Sequence, residues 1–147
     1  MKKDEKELLD EELRLLINAN EILKYSYDKC SGIGIKQSYT FEELDYFEAL
    51  TSRFSRASDI LIQKIFRLID IIELESQGTI IDRINRAEKR GMVRSAHDMK
   101  RIRRIRNEIA HEYVQENVQE IFEDVMQLAP ILLDDIKSTL DYANKLK

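Results

Sequence analysis

Arg106, Asn107, His111 and Tyr113 fall within eight residues of one another in the stretch RIRNEIAHEY (104–113). They bring together a cation that binds phosphate, an amide, a proton carrier and a phenol. Histidine moves protons near neutral pH, and arginine stabilises the charge that builds on a phosphorane. That set is sufficient for metal-independent cleavage of RNA through its own ribose 2′-hydroxyl. The other histidine, His97, follows Ser95 at a helix start and is expected to face solvent.

Helix geometry constrains how these groups meet. At about 100° per residue, Asn107 and His111 lie one turn apart on one face, whereas Arg106 and His111 are separated by roughly 140°. A straight helix does not aim both at one phosphate. Either the helix ends or bends near His111, or a second protomer completes the site. Tyr113, about 200° around from His111, shares its face only if the helix stops there. The structural alternative is a helix-terminal histidine bonded to a carbonyl and a tyrosine anchoring the next helix.

The surrounding charge is uneven. Between Arg83 and Arg106 ten basic residues face only Glu88 and Asp98, so this window carries +8 in a chain of net charge −4. Arg101, Arg103 and Arg104 are the nearest candidates for an RNA-binding surface beside Arg106. Eight of the ten are arginines, which favours bidentate contacts to phosphate or carboxylate. The alternative is that the acidic remainder of the chain neutralises this strip within the fold.

The elements that must position these residues are helical. Four Gly and one Pro in 147 residues cannot supply the turns of a β-sandwich or barrel. The spacing predicts an all-α, up-and-down bundle of about five helices in a single domain spanning residues 1–147. The first helix runs from about residue 4 to Lys29, and CSGIGIKQSYT (30–40) reads as a loop. Thr40 with Glu43 forms a capping box for a long second helix reaching about Leu74. Glu75–Gly78 is a turn, Thr79 and Asp82 open a short helix ending at Gly91, and Ser95 and Asp98 open the helix that carries RIRNEIAHEY. Pro130 is expected to kink or split the last helical segment, Val114 to Leu146. From Ile60 to Ile72 the second helix is apolar on more than one side. Such a girdle marks either the centre of a bundle or a face covered by a second subunit, and a homodimer is expected.

Other chemistries find no support in the sequence. Cys30 is the single cysteine, so neither an intramolecular disulfide nor a cysteine cage for metal can form. No Walker loop, paired-aspartate nucleotidyltransferase signature or carboxylate–histidine cluster stands out, and no cofactor or metal is expected. The N-terminus MKKDEKELLDEEL lacks the apolar run of a signal peptide. Charged and polar residues interrupt the apolar stretch Ile60–Leu74, so no membrane span and a cytoplasmic location are expected.

RNEIAHEY resembles the Arg-Asn-x-x-x-His / Arg-x-x-x-x-His-x-Tyr signature of the HEPN superfamily, specifically the HepT-like toxins of toxin–antitoxin pairs. Arg106, Asn107, His111 and Tyr113 each fall on a motif position. LTSRFSRASD (50–59) and TIIDRINRAEKRGMV (79–93) add to the likeness, which covers about residues 40–125. The resemblance implies an all-α bundle that dimerises so that the motifs of both chains meet in a basic cleft. Arg106 and His111 would be the ribonuclease residues and Asn107 would position the site. The partner would be a nucleotidyltransferase antitoxin that silences the toxin by adding AMP to Tyr113. A second reading is a non-catalytic subunit presenting a nucleotide or substrate to that nucleotidyltransferase. A third is a purely structural helical dimer.

Overall fold

The computed structural model of the chain describes residues 1–111 and 118–147, with the side chains of 1–110 and 118–147. It is all-helical, with α1 (Lys3–Ile33), α2 (Phe41–Asp59), a π-helical segment (Ile60–Phe66), α3 (Arg67–Ile72), α4 (Ile80–Lys89), α5 (Ala96–His111) and α6 (Val118–Leu146). The π segment joins α2 to α3 without a break, so the described residues form five rods. This is the all-α bundle that the apolar periodicity predicts.

The helix starts follow from local chemistry. The Thr40 hydroxyl accepts from the Glu43 N–H while Glu43 accepts from the Thr40 N–H at 2.9 Å, and Thr79 and Asp82 repeat the pattern at α4. Ser95 accepts from the Asp98 N–H at 3.1 Å to open α5. Beyond α4, Gly91 adopts φ 78°, a left-handed conformation that a side chain would strain.

One expectation needs correction and two open alternatives are narrowed. The helix read as ending at Lys29 continues through Cys30 to Ile33, because Cys30 is fully buried and part of the core. Its thiol lies 3.4 Å from the Tyr46 carbonyl, and α1 ends at Gly34, φ 78°. Pro130 does not split the last segment: α6 runs continuously through it, and the residues before Val118 lie outside the described set. The apolar girdle is covered within one chain. Ile60, Leu61, Ile62, Ile65, Phe66, Leu68 and Ile69 are all buried, with α1 and α4 packed against the π segment. Ile71 alone of the girdle is exposed, so of the two alternatives the centre of a bundle describes the girdle, and the girdle itself lends the expected dimer no support.

The core runs between α1, α2 and α6 and closes on Phe47, which stacks on Phe122 at 4.8 Å and meets Tyr39 at 5.0 Å. Met99, Ile102 and Ile105 anchor α5 in the same core. No helix among the described residues is long and apolar enough to cross a membrane.

Candidate active site

The orientation of α5 follows from its buried residues. With Met99, Ile102 and Ile105 turned inward, Arg103, Arg106 and Asn107 stand at i, i+3 and i+4 on the flank facing α2. All three line a cavity of about 730 Å³ together with Arg56 and Asp59 of α2 and Lys64 of the π segment. Its apolar wall is Leu15, Ile60 and Ile62, and Gln63 adds a second amide beside Asn107. Four cations thus face a single carboxylate among the described lining residues.

That carboxylate is committed to Arg106. Asp59 Oδ1 accepts from Arg106 Nε at 2.6 Å and Oδ2 from Nη2 at 2.8 Å, a bidentate pair that fixes the plane of the guanidinium. Hydrogen bonding to Asp59 raises the Arg106 pKa further, so the group is permanently cationic. Both side chains remain partly accessible, at 30% for Arg106 and 40% for Asp59. Among the described residues nothing engages Arg106 Nη1, leaving N–H groups to meet an incoming anion.

The basic strip divides into parts with different fates. Asp70, only 2% exposed, accepts from Arg86 Nε at 3.1 Å, Arg86 Nη2 at 2.7 Å and Arg90 Nη1 at 2.5 Å. Arg83 stands 3.9 Å away and donates to the Ile62 carbonyl at 3.3 Å. Arg90 also meets Glu73 at 3.2 Å. These three arginines lock α4 onto the π segment and α3, and they are not a surface for phosphate. Farther along, Arg101 pairs with Asp98 at 3.4 Å on its own helix, and Arg104 is exposed and does not line the cavity. Of the three arginines expected to bind RNA, the fold brings Arg103 alone to the cavity with Arg106.

His97 is exposed, as its place at a helix start predicts. The α5 backbone extends to His111, whose side chain lies outside the described residues, as does Tyr113 altogether. Arg56, Asp59, Gln63 and Lys64 were not singled out from the sequence. Their signal is faint: residues 56, 59 and 63 recur at helical spacing, but on a rod that carries many other polar residues. The π segment, which places Gln63 and Lys64 on the cavity, has no such signal. Comparison of the chain with protein-family models, with curated proteins and with solved structures gave no match.

Proposed function

We propose that the chain is a metal-independent endoribonuclease toxin of a toxin–antitoxin pair, acting at a basic cleft to which two protomers contribute. The observation that carries this reading is the Asp59–Arg106 pair on a cavity shared with Arg56, Lys64, Arg103 and Asn107. A guanidinium held in a fixed plane beside three further cations is preorganised for a phosphodiester and for the extra charge of its transition state.

The reaction needs only the substrate's own nucleophile. The ribose 2′-oxygen attacks phosphorus and gives up its proton to a base. The P–O5′ bond breaks, and the departing O5′ takes up a proton. A 2′,3′-cyclic phosphate and a 5′-hydroxyl end result. In this assignment His111 carries the protons, Arg106 holds the phosphate oxygens and Asn107 positions the strand. The resemblance of RNEIAHEY to HepT-like toxins adds the homodimer and a nucleotidyltransferase antitoxin that adds AMP to Tyr113. An adenylyl group there brings a phosphate charge and a bulky base within a few residues of Arg106, which opposes RNA binding.

The test is induced expression in a bacterium. Growth arrest is expected, and Arg106→Ala or His111→Ala abolishes it while the purified variants keep the wild-type helical circular dichroism. Full toxicity from a folded His111→Ala protein would overturn the assignment.

A further inference from the structure

Arg106 forms part of two depressions, one on either side of it. The larger is the cation-lined cavity already described. The smaller, about 300 Å³, lies between the middle of α2 and the end of α5, and its walls include Glu48, Ser52, Ser55, Ile109 and Ala110. Its chemistry is the opposite of its neighbour's. Arg106 is its one described cation, the exposed Glu48 contributes a carboxylate, and the rest of the described lining is hydroxyl and aliphatic.

Two features set what the smaller depression can hold. Ser55 Oγ is buried and has no hydrogen-bond partner among the described residues. A buried hydroxyl left unpaired is costly, and a rotation of the Ser55 side chain into the depression, where a ligand group bonds it, recovers that cost. Thr51, by contrast, donates its hydroxyl to the Glu48 carbonyl of its own helix at 2.9 Å. An anion is disfavoured beside Glu48, whereas a neutral group that presents N–H donors is welcome. Carboxylates accept from the exocyclic amine of cytosine, and the amine of adenine offers the same donor. At the lower end of small-molecule pocket sizes, the space suits one nucleoside.

We infer that the two depressions are the nucleotide subsites flanking a phosphate held at Arg106. The Glu48–Ser52–Ser55 side selects a nucleoside with an exocyclic amine, and the Arg56–Lys64–Arg103 side takes the neighbouring nucleotide with its further phosphate. The inference rests on the reading of the cavity as an RNA cleft, and it extends that reading to base preference. Sequence-specific recognition of RNA works on unstacked bases, so the ligand is a single-stranded segment.

The test uses probes that cannot be cleaved, so that binding is read apart from turnover. Dinucleoside monophosphates with a 2′-deoxy sugar before the phosphate, carrying A, C or U in turn at each position, are titrated by calorimetry against wild type, Glu48→Gln and Ser55→Ala. Wild type is expected to bind the best A- or C-containing probe roughly tenfold more tightly than its U counterpart and than a nucleoside monophosphate. Both variants should lose that advantage and bind the A-, C- and U-containing probes alike. Equal affinities for all bases, or an unchanged preference in both folded variants, would overturn the subsites even if the protein cleaves RNA. If the preference appears and depends on Glu48 but no RNA is cut, the subsites stand and the ribonuclease reading falls.

Discussion

A partly exposed ion pair such as Asp59–Arg106 contributes only about 0–1 kcal/mol to folding, because water already screens both charges. Its consequence is orientation rather than stability, in contrast to the buried carboxylate of Asp135. Asp135 is 1% exposed, accepts one hydrogen bond from the Arg94 N–H at 3.1 Å, and leaves Oδ2 with no partner among the described residues. Burial, with Asp134 and Asp98 adding to it, pushes its pKa up to about 6. A carboxyl whose folded pKa lies above its unfolded value stabilises the protein below the unfolded pKa, near 3.8, and loses that contribution as pH rises through about 6. Asp135→Asn removes the titration. Measured by urea unfolding, the variant should gain about 2 kcal/mol on wild type between pH 4 and pH 8. A stability difference independent of pH would contradict the account.

At the scale of elements, α4 is held by charge as much as by its apolar face. Asp70 neutralises Arg86 and Arg90, whose side chains are only 16% and 9% exposed, with Arg83 close by. Removing one partner of a buried pair leaves the other uncompensated, at a cost of about 3–5 kcal/mol. Asp70→Ala should therefore lower unfolding stability by about 3 kcal/mol or more, read as a fall in the urea midpoint; an unchanged midpoint would contradict this role. The same cluster explains what was and was not legible in the sequence. Capping residues Thr40, Thr79 and Ser95 announced three helix starts because their hydroxyls act on neighbours three residues away. The partners of the basic strip were not legible, since Asp70 lies 16 and 20 residues from Arg86 and Arg90 and Asp59 lies 47 from Arg106. Local spacing carries no information about such pairings. Cys30 misled for a related reason: packing of a buried thiol outweighed the local turn preference, and a long apolar face carries α6 through Pro130 without a split.

Over the whole molecule, a net charge of −4 surrounds a concave site whose described lining holds four cations. Such an arrangement concentrates positive potential in one place and disfavours polyanions elsewhere on the surface. The motif residues Arg106 and Asn107 were legible as chemistry, and the fold adds the wall they face, built from α2, the π segment and one residue of α1. The central claim is that this wall and the end of α5 cleave RNA through the ribose 2′-hydroxyl. The most direct measurement is end-group analysis of RNA incubated with purified protein in excess chelator. The account predicts fragments ending in 2′,3′-cyclic phosphate and 5′-hydroxyl, formed by wild type and absent with Arg106→Ala and with His111→Ala. Intact RNA with the folded wild-type protein, or cleavage that stops with the chelator or survives Arg106→Ala, would contradict it.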